Sequence, residues 1–198
     1  PVGSFGSGEA PTDVVFHVQY RDVRATGVEP ARFELCIGEE KRRVRLQIPG
    51  AHNVSNAAAA AAAAHAVGIS LSEIAAGLEG FSGSDMRSEV VRAPGGFTII
   101  NDTYNASPTS TPVALGLLAE CSGRKVFVFG DMLELGETAE RAHRQIGKTA
   151  VACGVDWVIT VGPLAALAAE EADAAGIQAN AVDSVEEALL LLEGALEE

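Results

Sequence analysis

The chain has 198 residues and a formal net charge of −13, from 14 basic and 27 acidic side chains. Apolar residues make up 47% and charged residues 21%. That balance belongs to a globular chain long enough to bury a core without disulfide or metal staples, and it excludes a disordered chain, a collagen and a coiled coil.

The acidity leaves no electrostatic footprint for a phosphate backbone, and no polybasic patch for an anionic membrane is visible. No nucleic-acid partner is expected. No stretch of about 18 apolar residues runs free of charge, so membrane insertion is not expected either. Cys36, Cys121 and Cys153 are odd in number, far apart and without CxxC or zinc spacing. They read as free thiols in a reducing cytoplasm, each a small core residue.

In chain order, Pro1 to Gly6 has neither the basic flank nor the apolar stretch of a signal peptide. With no initiator Met, the sequence is expected to begin partway through a gene product. The glycine-rich stretch from Gly3 to Gly8 has no helix after it and reads as a loop. Val14 to Val18 is short, apolar and β-branched, a strand pattern. Phe33 to Ile37 and Val44 to Ile48 alternate with period 2, as strands with one buried face do. Gly38-Glu39-Glu40-Lys41 reads as the hairpin turn between them, and Pro49-Gly50 stops the second.

Asn53-Val54-Ser55-Asn56 leads into eight alanines, Ala57 to Ala64. Alanine is the best helix former, and its small side chain lets a helix pack close to a neighbour. A low-complexity linker is the other reading of the run. Gly68 ends this helix. Ser70-Leu71-Ser72-Glu73 is a capping-box pattern opening a second helix, which stops at Gly80.

Ser82-Gly83-Ser84-Asp85 is a small polar break, and the domain boundary is placed there, giving residues 1–84 and 85–198. Beyond it, strands at 97–101, 126–129, 157–161 and 177–182 alternate with helices at 108–120, 137–153, 163–175 and from 185 to the end. Pro108 and Pro163 fall at first helical positions, where a missing N–H costs nothing. Ser184-Val185-Glu186-Glu187 is a second capping box. Apolar strands alternating with helices imply an α/β fold, a parallel sheet covered on both faces.

Open α/β sheets bind ligands beyond the carboxyl ends of their strands. Suggestive residues stand at three such ends: Asn101 to Pro108, Gly130 to Gly136, and Gly162-Pro163. The first two are expected side by side in one sheet. Asp102 reads equally as a turn-forming residue and Asp131 as a helix cap. Gly147-Lys148-Thr149 lacks the preceding glycine of a phosphate loop and lies inside a helix. No GxGxxG follows a strand, and no GxSxG occurs. His17, His52, His65 and His143 lack HExxH or triad spacing; His17 and His65 read as structural.

Gly50-Ala51-His52-Asn53-Val54-Ser55-Asn56-Ala57 resembles a motif of the Mur ligase family, ATP-dependent amide-forming enzymes of peptidoglycan synthesis. Three further motifs agree in order. Met86-Arg87-Ser88-Glu89-Val90 is similar to the family's junction after the central domain. Ile100 to Pro108 is similar to its nucleotide-contacting loop. Gly130-Asp131-Met132-Leu133-Glu134-Leu135-Gly136, followed by His143 and Gly147, resembles the branch that joins D-alanyl-D-alanine to a UDP-N-acetylmuramoyl-tripeptide. The resemblance covers residues 30 to 190. It implies the end of a central ATPase-type domain over 1–84, then a Rossmann-like, mostly parallel doubly wound C-terminal domain over 85–198 that lacks its last strand. It also implies ATP and Mg²⁺ as cofactors, the two peptide substrates as partners, and a bacterial cytoplasmic setting.

The resemblance carries over residue by residue. Asn53 and Asn56 resemble asparagines on the adenine side, where an amide offers donor and acceptor together; a cap on the alanine helix is the other reading. Arg87 resembles an arginine that reaches ATP, or else forms a surface ion pair. Asp102 resembles a carboxylate that accepts from ribose hydroxyls, with Tyr104 and Asn105 shaping that pocket. Asp131 and Glu134 are expected to face the incoming dipeptide and pair its ammonium group, with cap or scaffold as the rival role. The family's phosphate loop, Mg²⁺-binding acid and carbamylated lysine have no counterpart here. No catalytic residue or metal ligand is therefore assigned, and the chain is expected to be inactive alone. Two alternatives stand beside this reading: a non-catalytic nucleotide- or peptide-binding α/β module, and another ligase of the superfamily, of the folylpolyglutamate or cyanophycin type.

Overall fold

A computed structural model describes residues 3–9 and 16–196 of the chain. The chain divides into two compact units, Pro1–Asn101 and Asp102–Glu198.

The first unit is built on a four-stranded sheet in the order β1 (Gly3–Gly6), β2 (Phe16–Arg24), β3 (Pro30–Ile37), β4 (Glu40–Pro49). Strands β1 and β2 run parallel; β2, β3 and β4 are antiparallel. Two expectations change here. Gly3–Gly6 is a strand, because the β2 edge supplies hydrogen bonds to a segment whose own composition has no strand signal. The second strand extends to Arg24, past the expected end at Val18, while Val14 and Val15 lie outside the described residues. Ile37 pairs with Glu40, leaving a two-residue turn at Gly38-Glu39. Gly38 has φ +60°, the backbone that hairpin turns demand and glycine adopts freely.

Helices α1 (Ala51–Ala66) and α2 (Leu71–Gly80) cover one face of this sheet. The alanine run is a packed helix: Val54, Ala57, Ala58, Ala61 and Ala62 are buried against Val18, Ala31, Phe33 and Leu35. Helix α2 opens with the full capping box, Glu73 N–H donating to Ser70 Oγ and Ser70 N–H to the Glu73 carboxylate. The Ser70 hydroxyl also donates to the Glu73 carboxylate, and this bond first, then the one from Ser70 N–H, holds the Glu73 carboxyl below its ordinary value. His17 bonds Ser4 Oγ and Gly8 O, and His65 meets the Phe16 ring edge-on, so both are structural.

Strands β5 (Glu89–Arg92) and β6 (Thr98–Asn101) form a separate antiparallel pair. The expected strand ending at Asn101 therefore belongs to a hairpin and pairs with β5 instead of joining the parallel sheet. The reason lies in the turn: Gly95 and Gly96, both at positive φ, reverse the chain, and Ala93 N–H closes it on Phe97 O.

In the second unit, β7 (Val126–Gly130), β8 (Trp157–Val161) and β9 (Gln178–Val182) form a parallel sheet in sequence order. Helices α3 (Ser110–Ala119), α4 (Ala139–Ala152) and α5 (Ala166–Ala174) supply the core on one face. On the other face α6 (Val185–Leu196) packs on Trp157 and Ile159. The α/β reading with a doubly covered parallel sheet holds.

The two prolines sit in irregular first turns, ahead of the regular helices. Thr111 N–H bonds Ser107 O and Ala166 N–H bonds Gly162 O, so Pro108 and Pro163 occupy positions whose missing N–H is not needed. Gly147 and Lys148 have packing roles: a Cβ on Gly147 would lie 2.4 Å from Ala168 O, and Lys148 pairs with Glu171 at 3.8 Å. Arg144 joins the same α4–α5 contact through Glu170 and Glu171, which raise its pKa further. The second capping box is half as expected. Glu187 N–H donates to Ser184 Oγ, but the Glu187 carboxylate accepts from Asp183 N–H.

The three cysteines are free thiols. Cys36, 4% exposed, has its pKa raised mainly by burial and then by the Glu34 charge, with Arg21 and Lys41 opposing. No helix among the described residues is long and apolar enough to cross a membrane.

Candidate functional site

Two groups of the expected residues are set by the folding of the two units, and a third lies on the segment after β6.

The first group lies in the first unit. Gly50, at φ +91°, turns the chain from β4 into α1 and provides no side-chain cap. Asn53 and Asn56 follow inside the helix, so neither is the cap. Asn53 Nδ2 donates to Pro49 O at 2.8 Å, and Asn53 Oδ1 accepts from Asn56 Nδ2 at 3.2 Å. Asn53 is thereby a buttress. Asn56 is exposed and keeps its carbonyl oxygen out of every hydrogen bond among the described residues. The His52 ring lies against Gly50, where a Cβ would sit 2.5 Å from Cε1.

Pro49, whose carbonyl takes the Asn53 bond, lines a pocket of about 240 Å³ together with Ile48, Gly83, Asp85, Arg87 and Glu89. Gly83 has φ +100°, and a Cβ there would lie 2.9 Å from Ile48 Cγ2, so glycine lets the 82–85 break approach β4. Arg87 is flanked by two non-glycine residues in left-handed backbone, Met86 at φ +57° and Ser88 at φ +47°. Such strain persists only where surrounding contacts fix it. Here Glu89 contributes: its carboxylate accepts from Met86 N–H at 3.4 Å and from Asn101 Nδ2 at 3.0 Å. Sequence reasoning gave Glu89 no role. The signal that finds it is the β5–β6 register, which sets Glu89 opposite Asn101. Arg87 thus lines this pocket, whereas Asn53 reaches it only through the Pro49 carbonyl and Asn56 only through Asn53.

Asp102, Tyr104 and Asn105 lie on the segment joining β6 to α3, with Thr103-Tyr104 in a turn. Asp102 is half-buried, Tyr104 is 60% exposed and Asn105 is exposed. The segment ends in a serine cap: Ser110 N–H donates to Ser107 Oγ at 3.0 Å, and Ser107 N–H to Ser110 Oγ at 3.2 Å.

The second group is the loop after β7. Asp131 Oδ1 accepts from Leu164 N–H at 3.1 Å and Ala165 N–H at 2.7 Å, capping the turn that leads into α5. The carboxylate lies where a Cβ on Gly162 would go, 2.7 Å away, and Gly162 has φ +105°. The next residue, Met132, is buried and donates its N–H to His143 Nε2 at 2.8 Å. His143, 0% exposed, points Nδ1 at Ala139 O at 2.7 Å. A backbone N–H can only donate and a carbonyl only accept, so His143 is the neutral tautomer with its proton on Nδ1. Leu135 O accepts from Thr138 N–H and Oγ1. Between these anchors stand Leu133, 74% exposed, and exposed Glu134 at φ +62°. Asp131 and Glu134 therefore differ: one carboxylate is committed to backbone N–H groups, and the other is held out at the tip. Sequence spacing gave His143 no role; its i+4 relation to Ala139 on α4 and the buried loop residue show it only in three dimensions.

Among the described residues, no group of three or more His, Cys, Asp or Glu side chains could hold a metal ion.

A family model described as Mur ligase, glutamate ligase domain, matches residues 86–198. The UDP-N-acetylmuramoyl-tripeptide–D-alanyl-D-alanine ligase of Bacillus subtilis is 44% identical over 129 residues, 64% of this chain and 28% of that protein. The enzyme of the same name from Escherichia coli is 41% identical over 119 residues, 60% of this chain and 26% of that protein. The chain thus spans about a quarter of the length of these curated relatives. A crystal structure of MurF from Acinetobacter baumannii superimposes with a TM-score of 0.81 at 34% identity, covering 91% of this chain and 38% of that one. The MurF ligase of Thermotoga maritima, solved in complex with ADP, shares the fold at a TM-score of 0.70 and 21% identity, covering 98% of this chain and 48% of that one. With more than half of its residues under the family model, the chain belongs to the Mur ligase family.

Proposed function

We propose that this chain is part of an ATP-dependent ligase that joins D-alanyl-D-alanine to a UDP-N-acetylmuramoyl-tripeptide, with residues 1–84 from the central domain and 85–198 from the C-terminal domain. The observation that supports this most is the identity with enzymes of that name, 44% over 129 residues. The loop after β7 agrees with it, because it holds one carboxylate, Glu134, beside an exposed apolar side chain, Leu133. That pair suits a small dipeptide with an ammonium end and methyl groups.

The reaction has two steps. The tripeptide carboxylate oxygen attacks the γ-phosphorus of ATP and ADP leaves. The dipeptide ammonium then loses a proton, its nitrogen attacks the acyl carbon, the C–O bond to phosphate breaks, and a second proton leaves the nitrogen. Mg²⁺, when bound, neutralises phosphate charge. The contribution of this chain is binding and positioning. Asn56, backed by Asn53, offers an amide edge to adenine, and Arg87 offers positive charge to the nucleotide phosphates. Asp102 accepts from the ribose hydroxyls, with Tyr104 and Asn105 at the rim. Glu134 pairs the dipeptide ammonium, while Asp131 fixes the loop that carries it. Holding two reactants in an attack geometry replaces a bimolecular encounter, which is the largest help such a scaffold gives.

The test is a chimera. Residues 3–196 replace the matching part of the Bacillus subtilis ligase, and phosphate release is followed with both peptide substrates. Release that requires D-alanyl-D-alanine is the expected result. Release with single amino acids but not the dipeptide would assign the chain to another branch of the family. The isolated chain is expected to show no turnover.

A further inference from the structure

The outer face of the four-stranded sheet carries a charge pattern that the sequence does not display as a run. Register sets Arg24 opposite Arg32 and Arg32 opposite Arg45, three guanidinium groups in one row across β2, β3 and β4. The next row is Arg21, Glu34 and Arg43, and the next Gln19, Cys36 and Lys41. Paired residues share a face of the sheet. This face is opposite the one on which Ala31, Phe33 and Leu35 meet α1 and α2. Six of the chain's 14 basic residues stand in these rows against one acid, Glu34, and all six are exposed. The absence of a basic patch expected from composition is therefore corrected: strand alternation spaces the cations apart in sequence and the ladder reassembles them.

These cations have few internal uses. Lys41 lies 3.9 Å from Glu34, and Arg21 turns to Gln19. Arg24, Arg32, Arg43 and Arg45 form no ion pair among the described residues. Like charges directly opposite in a ladder destabilise it. An anionic partner would relieve that repulsion.

We infer that this face docks on the phosphate headgroups of an anionic lipid surface. The argument is charge complementarity and shape. Cations about 4.8 Å apart across strands and, along β4, about 6.8 Å apart make a two-dimensional array, interrupted on β2 by a bulge between Arg21 and Arg24. A headgroup layer is also two-dimensional, and the guanidinium fork suits phosphate oxygens. The three rows contain no aromatic side chain, so nucleic-acid bases have no stacking platform. At physiological salt the attraction acts over about 8 Å, so the charges of the docking face dominate over the chain's net charge. The inference rests on the sheet alone and is independent of the ligase reading.

The test is co-sedimentation of the 198-residue chain with vesicles of phosphatidylglycerol and phosphatidylcholine, and with phosphatidylcholine alone, at physiological salt. The chain is expected to partition onto the anionic vesicles only. The triple variant Arg24→Gln/Arg32→Gln/Arg45→Gln should partition about 100-fold less, at roughly fivefold per charge removed. The corresponding Arg→Lys triple should keep most of the binding, which separates charge from folding. Equal binding to both vesicles, no binding to the anionic ones, or unchanged binding by the Gln triple would overturn the proposal. Retention of a short DNA duplex without vesicle binding would also overturn it, in favour of a nucleic acid.

Discussion

The backbone N–H of Met132 donates to Nε2 of His143 at 2.8 Å, and this one bond fixes both the loop after β7 and the protonation form of the imidazole. Both partners are fully buried, so neither has water as a substitute. His143→Ala would orphan the Met132 N–H and leave a cavity, while the Ala139 carbonyl keeps its helical partner. The expected loss is roughly 2–5 kcal/mol, read by urea unfolding. Long-range proton–nitrogen NMR should show Nδ1 protonated and Nε2 bare at neutral pH; the opposite tautomer would remove the clamp from the account.

Asp131 and Glu134 are expected to separate by function. Asp131→Ala should cost about 1 kcal/mol of stability as a lost cap. Glu134→Gln should leave stability alone and raise KM for D-alanyl-D-alanine by about 10–100-fold in the chimeric ligase, the scale of a charged hydrogen bond. An unchanged KM would take Glu134 out of the dipeptide site.

Gly147→Ala reverses an ordinary rule. In an open helix this change stabilises by about 1 kcal/mol. Here the new Cβ would lie 2.4 Å from Ala168 O, a backbone atom that cannot turn aside. A loss of about 1–3 kcal/mol is expected by thermal or urea unfolding. A gain would mean that α4 and α5 separate easily.

Thr160 on β8 is 0% exposed, and its Oγ1 has no hydrogen-bond partner among the described residues. Thr160→Val keeps the shape and removes the orphaned hydroxyl. A gain of about 1 kcal/mol in unfolding free energy is expected. A loss would show that the hydroxyl is satisfied in solution.

What the sequence showed depended on how local each determinant is. The α2 capping box is contained in four residues, and β8 is a single apolar run, so both were legible to the residue. Glycine-rich β1 carries no alternation; it is a strand only because β2 offers an edge. The β5–β6 hairpin was half read, since Glu89–Arg92 shows no strong apolar pattern and draws its identity from its partner. The same limit applied at the sites. Asn53, Asn56 and Arg87 are proposed from motif alone, but Glu89, which ties Met86 to Asn101, required the register. The Asp131 cap joins residues 33 and 34 positions apart. His143 lies in a helix among other polar residues, and its burial is not written in the spacing of the four histidines.

The central claim is that Arg87, in the pocket wall beside Pro49, and Asn53 and Asn56 at the start of α1 receive the nucleotide. The most direct measurement is a titration of the isotope-labelled chain with ADP, followed by amide and side-chain NMR shifts. The account predicts weak, saturable shifts at Asn53, Asn56 and Arg87, lost in Asn56→Ala, with His143 unmoved. Shifts confined to other residues, or none at millimolar ADP, would contradict it.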